Sequence, residues 1–337
     1  MIQIKEWENK IFSASPFNFD ALAVELFHFQ YKENKVYQQY VDAINTDVTK
    51  VLRAVDIPFL PIGLFKSHEI TSTAFEPEII FESSGTTGST NSKHYIKSLR
   101  LYKNNFSAIF ELFYGDHKNM CIIGLLPSYL ERNNSSLVYM VDELIRKSNN
   151  KLSGFYLNDY EKLYQTLLHN EISGQKTLLI GVTFALLDFA EAFPMKLKNT
   201  FVMETGGMKG RRKELIRAEV HDFLKKQLGV KNVHSEYGMT ELLSQAYAKK
   251  DGKFKCPPWM KVFIRKNDDP LHIYENLILG KSGVSGILNI VDLANLYSCG
   301  FIAIDDIGIL HTDGCFEVQG RVDTSDVRGC SLMTVSD

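Results

Sequence analysis

Ser83-Ser84-Gly85-Thr86-Thr87-Gly88 follows closely on an apolar run, Ile79-Ile80-Phe81. Glycines let a backbone turn tightly and aim its N–H groups at an anion, and Ser and Thr hydroxyls add rotatable donors. Far along the chain, Tyr237-Gly238-Met239-Thr240-Glu241 combines an aromatic face, a tight turn and a carboxylate. A nucleoside triphosphate with its divalent cation calls for that set of groups. Taken singly, each segment also has a plainer reading. The first is a Ser/Thr/Gly surface turn, and it lacks the G-x-x-x-x-G-K-[ST] spacing of a P-loop. The second is a strand-to-helix turn with Thr240 as N-cap and Glu241 in the first helical turn.

The elements that must position these groups read as α/β. Residues 1–75 carry helical apolar stripes such as Phe19, Leu22, Leu26 and Phe29, and predict an N-terminal helical segment. Over 76–248, strand and helix patterns alternate. Cys121-Ile122-Ile123-Gly124-Leu125-Leu126, Leu178-Leu179-Ile180-Gly181-Val182 and Thr200-Phe201-Val202-Met203 are continuous apolar runs, the signature of strands buried on both faces. Arg211–Leu228 reads as a helix presenting Ile216, Val220, Phe223, Leu224 and Leu228, stopped by Gly229. Val230–Ser235 is a strand running into Tyr237. This order predicts a helix-covered, mostly parallel sheet with both motifs beyond the carboxyl ends of strands. Over 249–337, Gly and Pro separate short apolar segments and predict a smaller β-rich subdomain with a C-terminal arm.

Composition narrows the class. A 45% hydrophobic, 23% charged chain with net charge −2 is that of an ordinary soluble protein, with no reason to expect nucleic acid as a partner. No run approaches the ~18 apolar residues of a membrane span, and no signal-peptide core is present. Five scattered cysteines without a CxxC pair favour reduced thiols in a cytoplasmic setting.

Ser84-Gly85-Thr86-Thr87-Gly88, Tyr237-Gly238-Met239-Thr240-Glu241, Asp306-Ile307-Gly308 and Gly320-Arg321-Val322-Asp323 together resemble, in order, the motifs of the adenylate-forming superfamily. Within it the chain is most similar to LuxE-type acyl-protein synthetases, the fatty-acid-activating component of bacterial bioluminescence. Further stretches carry that likeness: Phe81–Tyr95, Leu125–Tyr129 with Ser135-Ser136-Leu137, Glu204–Arg211, His234–Glu241 and Arg328-Gly329-Cys330-Ser331-Leu332.

The resemblance implies roles for particular residues. Ser84, Thr86 and Thr87, with the backbone at Gly85 and Gly88, would hold the β- and γ-phosphates of ATP. Tyr237 would lie against adenine, with Gly238 and Thr240 in the same motif, and the Gly206-Gly207 loop would line the nucleotide pocket. Glu241 would ligate Mg²⁺, a hard cation that prefers carboxylate and phosphate oxygens. Asp306 would accept from the ribose hydroxyls, and Arg321 would donate to the ribose or neutralise the α-phosphate. The sequence departs from the family pattern after Gly88, where Ser89-Thr90-Asn91-Ser92 precede Lys93, so either Lys93 or His94 is the candidate for the phosphate. It also ends soon after Arg321, without the usual small C-terminal domain and its lysine. Attention therefore passes to Cys330, whose thiolate would take an acyl group from acyl-AMP and hand it to a reductase partner.

The expected activity is ATP-dependent activation of a carboxylic acid, of fatty type, as acyl-AMP, followed by transfer to a protein cysteine thiol. Two alternatives stand beside it: a truncated acyl- or aryl-CoA ligase resembling phenylacetate-CoA ligase, and a non-catalytic nucleotide-binding subunit.

Overall fold

Helices α1 (Ile4–Phe12), α2 (Phe19–Glu33) and α3 (Lys35–Ala43) open the chain, as the apolar stripes predict. The computed structural model describes residues 4–83, 90–126, 134–157, 159–206, 215–267, 269–274 and 283–322. Then come β1 (Leu60–Pro61), α4 (Leu64–Ser67), β2 (Ile79–Glu82), β3 (Lys93–Ile96) and α5 (Leu99–Tyr114). The alternating region holds β4 (Cys121–Leu125), α6 (Ser136–Ser148), β5 (Gly154–Phe155), α7 (Tyr160–Ser173), β6 (Thr177–Gly181), α8 (Thr183–Ala192), β7 (Thr200–Glu204), α9 (Arg217–Leu228) and β8 (Val233–Tyr237). The remainder is strand: β9 (Ala246–Ala248), β10 (Phe254–Lys255), β11 (Met260–Arg265), β12 (Gly283–Asp292), β13 (Phe301–His311) and β14 (Phe316–Arg321).

One twelve-stranded sheet runs β11-β12-β13-β14-β10-β9-β8-β7-β6-β4-β5, with β1 added in parallel beside β13. From β5 to β8 every pairing is parallel; from β8 to β11 every pairing is antiparallel. The β-rich segment expected as a subdomain is therefore hydrogen-bonded into the same sheet, because β9 docks on the exposed ladder edge of β8. Unpaired edge N–H and C=O groups make such an addition favourable.

The parallel half is buried on both faces, which explains its uninterrupted apolar runs. On β4, Cys121, Ile123 and Leu125 pack under α7, α8 and α9 with Leu163, Leu186 and Leu224. Ile122 between them faces α5 and α6 with Phe106 and Met140. In α9, Val220, Leu224 and Leu228 are buried as predicted, and Gly229 ends the helix at φ +63°. Ile216 is different: it precedes the helix and is 67% exposed, so it lies outside the apolar face assigned to it.

A second correction concerns the first motif. β2 and β3 form an antiparallel hairpin of their own, outside the large sheet. The strand that precedes the first motif is thus not a strand of the parallel sheet. The apolar content of Ile79-Ile80-Phe81 reflects the burial of Phe81 against Tyr102 and Tyr139, ring centroids 5.2 and 5.7 Å away.

The β13–β14 ladder carries a register shift between Ile307 and Gly308. A Cβ at Gly308 would stand 2.2 Å from the Glu317 carbonyl oxygen and 2.9 Å from Leu288 Cδ2. Gly308→Ala is therefore expected to lower unfolding free energy by about 2 kcal/mol, the usual scale of core overpacking. A denaturant midpoint equal to the parent's would contradict this close approach.

Candidate active site

Tyr237 ends β8 with its ring wedged against Phe254 and Phe316, centroids 5.5 and 5.3 Å away. Its hydroxyl reaches β13 and donates to Asp306 Oδ2 at 2.7 Å. The other carboxylate oxygen, Oδ1, accepts from Arg321 Nε at 2.9 Å. Asp306 and Arg321 are direct partners across the β13–β14 ladder, so strand register alone brings them together. Asp306 is buried, whereas the Arg321 side chain remains 61% exposed and so keeps most of its donor fork toward solvent. Burial, followed by the neighbouring charge of Asp306, holds the Tyr237 phenol far above its usual range, so it acts as a neutral donor.

The β2–β3 hairpin is closed at the base of its connection by a reciprocal pair. Ser83 N–H donates to the Ser92 carbonyl at 3.1 Å, and Ser92 N–H donates to Ser83 Oγ at 2.9 Å. The Ser92 hydroxyl lies near the Glu241 carboxyl and favours its charged form. Glu241 is buried, and burial raises its pKa against the opposing effects of Ser92, its own N–H and the charges of Arg321 and Lys66. The base of the first motif thus adjoins the carboxylate of the second, and the charge of Arg321 acts on that carboxylate from further away.

Two polar residues anchor this arrangement. His94 Nδ1–H donates to the Thr240 carbonyl at 2.7 Å, and its Nε2 stands 3.1 Å from Asn295 Oδ1. Asn295 Nδ2 donates to the carbonyls of Glu241 and Cys299, each at 2.8 Å. Burial pushes the His94 pKa down to about 4, leaving a neutral ring enclosed between β3 and the 237–241 segment. Of the two candidates for a phosphate contact, His94 is thus engaged internally, and Lys93 is exposed. Asp292 adds a further clamp by accepting from the N–H groups of Leu243, Ser244 and Ala294 and from the Ser244 hydroxyl, at 2.7–3.1 Å. The N-terminal helices brace the same loop: Gln30 Nε2 donates to the Asn295 and Leu296 carbonyls, and Trp7 Nε1 to Leu293. The chain after Glu241 forms turns and bends before β9, so the strand-to-helix reading of that motif is excluded.

Gly206 lies past the carboxyl end of β7 at φ +75°, a left-handed conformation that favours glycine. Its N–H donates to Glu204 Oε2 at 2.8 Å. Glu204 is buried and also holds Arg217 Nε at 3.1 Å, with His221 Nε2 at 3.6 Å. Gly238 permits another close approach, since a Cβ there would stand 2.6 Å from Glu236 Oε1. Ser84, Gly85, Thr86, Thr87, Gly88, Gly207 and Cys330 lie outside the described residues.

Sequence reading did not identify Ser92, Asp292, Asn295 or Glu204 as part of the site. Asp292 and Asn295 left one signal: both are polar residues set inside an otherwise apolar stretch, Ile290–Leu296. Among the described residues no helix is long and apolar enough to cross a membrane. Cys121 and Cys299 are buried, as their apolar surroundings predict.

A family profile described as "Acyl-protein synthetase, LuxE" matches residues 3–336. No curated protein matches the chain by sequence comparison. Among solved structures, 2-hydroxyisobutyryl-CoA ligase in the postadenylation state, in complex with R3-HIB-AMP, aligns with a TM-score of 0.62 at 10% identity. That alignment covers 90% of this chain and 67% of the ligase. ATP-bound MatB from Rhodopseudomonas palustris aligns with a TM-score of 0.54 at 15% identity, over 74% of this chain and 50% of that one. At such identities the likeness shows a shared fold, and the chain spans about half the length of MatB.

Proposed function

The chain belongs to the LuxE acyl-protein synthetase family, and on that premise we propose that it uses ATP to activate a carboxylic acid, of fatty type, and passes the acyl group to its own cysteine thiol. The observation that carries this reading is the hydrogen-bonded network of Tyr237, Asp306 and Arg321, with the buried Glu241 carboxyl within reach of the charge of Arg321.

In the first step a carboxylate oxygen of the acid attacks the α-phosphorus of ATP. The bond to the bridging oxygen breaks, pyrophosphate leaves and acyl-AMP remains. Asp306 is the acceptor for ribose hydroxyls, held in place by the Tyr237 hydroxyl and the Arg321 Nε–H. The outward donors of Arg321 neutralise charge toward the α-phosphate. Residues 84–88 would supply the donors for the β- and γ-phosphates, and Gly206-Gly207 the wall of the nucleotide pocket. Glu241 suits Mg²⁺ on the chemistry of its surroundings, because burial outweighs the compensation that Ser92, its own N–H, Arg321 and Lys66 provide, so the carboxylate still favours a cation. When bound, that ion neutralises phosphate charge and eases the departure of pyrophosphate.

In the second step the Cys330 thiolate attacks the acyl carbonyl, AMP departs and a thioester forms. A thioester keeps enough acyl-transfer potential to pass the group on to a reductase partner.

Cys330→Ser tests the reading. Carboxylate-dependent exchange of pyrophosphate into ATP is expected to persist, while labelling of denatured protein by radioactive acid is lost. Label that survives the substitution would exclude Cys330 as acceptor, and label found on coenzyme A instead would favour the CoA-ligase alternative. Absence of exchange with every acid tried would favour a non-catalytic nucleotide-binding subunit.

A further inference from the structure

Tyr237, Asp306 and Arg321 use one face of the β8 end, and successive side chains of a strand point to opposite faces. Glu236 therefore projects to the other side of the sheet, at the level of Gly238 and beyond the last parallel pairing, where ligands of such sheets collect. Its carboxyl folds over Gly238, with Oε1 where a side chain on that glycine would otherwise sit. Tyr102 and Tyr114 of α5 and Tyr247 of β9 surround it, and Glu204 of β7 is the acidic neighbour. Among the described residues no hydrogen bond or ion pair engages the Glu236 carboxyl, although the residue is 9% exposed. Gln245, whose Cγ would lie 3.5 Å from the same Cβ position, has a buried Oε1 that also finds no partner.

Buried polar atoms without partners are costly and rare, so the unpartnered Gln245 Oε1 beside the unpaired Glu236 carboxyl, at the end of a ligand-bearing strand, marks a place for a ligand. Burial, reinforced by the charge of Glu204, pushes Glu236 up to about 8, so at neutral pH it carries a proton that it can donate. The phenols of Tyr102, Tyr114 and Tyr247 stay neutral over the same range, each held above its usual value chiefly by burial.

Resting on the adenylation reading above, we propose that Glu236 recognises the carboxylate of the acid substrate, donating its hydrogen to one substrate oxygen and leaving the other free to attack the α-phosphorus. The acid then approaches from the sheet face opposite the ribose-binding network, which separates the two substrates across the strand end. No covalent change occurs at Glu236. Its ionisation places a second negative charge against the acid and expels it.

The test follows pyrophosphate exchange with acetate, hexanoate, decanoate and tetradecanoate, and measures KM for the most active acid between pH 6.5 and 9.5. In the parent protein KM for the acid is expected to rise about tenfold per pH unit above the ionisation of Glu236, while KM for ATP stays level. Glu236→Gln cannot ionise, and its KM for the acid should vary less than about twofold over that range. Glu236→Ala should raise KM for the acid at pH 7 by at least about tenfold. KM for ATP, read on the same samples, reports whether each variant folds. Identical pH profiles for the parent and Glu236→Gln would overturn the proposal while leaving adenylation standing. No exchange by the parent with any of the four acids would overturn the adenylation reading and this inference with it.

Discussion

Replacing Glu241 by Gln is expected to lower carboxylate-dependent pyrophosphate exchange by about 10²- to 10³-fold, the usual loss when one preorganised electrostatic group is removed. The same change should leave thermal stability equal or higher. Glu241 is buried, and burial holds its pKa above the ordinary carboxylate value. For an acid this sign means that ionisation opposes folding, so the charge weakens the fold at neutral pH and its removal relieves that cost. A carboxylate kept against stability is one retained for a ligand. Gln preserves shape and removes only the charge, so lost activity would not stem from a collapsed loop. The half-saturating Mg²⁺ concentration should also rise at least about tenfold, since a neutral amide is a far weaker ligand for a hard cation. Unaltered exchange, or lost exchange with a marked drop in melting temperature, would remove Glu241 from the role assigned to it.

Glu204→Gln should act in the opposite direction on stability. Burial alone would raise the pKa of this carboxyl, but it is outweighed by the hydrogen bond of His221, the charge of Arg217 and bonds from Ser235 and the Gly206 N–H. Together these hold it near 2 against the ordinary 4.5. A depressed folded-state pKa contributes stability that is fully present above the unfolded value and lost as pH falls from about 4.5 toward 2. The difference corresponds to about 3 kcal/mol. The substitution also strands Arg217, which donates to the Val318 carbonyl at 2.9 Å and so links α9 to β14. Removing one partner of a buried pair costs about 3–5 kcal/mol. In urea titrations the parent should therefore lose stability steeply between pH 5 and 2, while the variant should start lower and fall less. Parallel curves for the two proteins would show that Glu204 is not the group responsible.

Both predictions concern residues whose neighbours lie far away in the chain, and that distance divides what local reading can find from what it cannot. Strands β4, β6 and β7 were legible because a strand covered on both faces needs an unbroken apolar run, and the chain writes that run out in order. The end of α9 was legible because Gly229 alone relieves the left-handed turn. The four motifs could be picked out in the sequence because each is a contiguous string of residue types. Their meeting was not. Tyr237 and Asp306 lie 69 residues apart, and His94 and Asn295 201 apart; they touch only because β9 docks on β8 and the hairpin folds back on the 237–241 turn. Local periodicity reports which face of an element is apolar and carries no information on which edge it will pair with. The same reason hid Glu236: in sequence it is one more acidic residue before a tyrosine, and only tertiary packing closes α5 and β9 over it and leaves its carboxyl without a partner among the described residues.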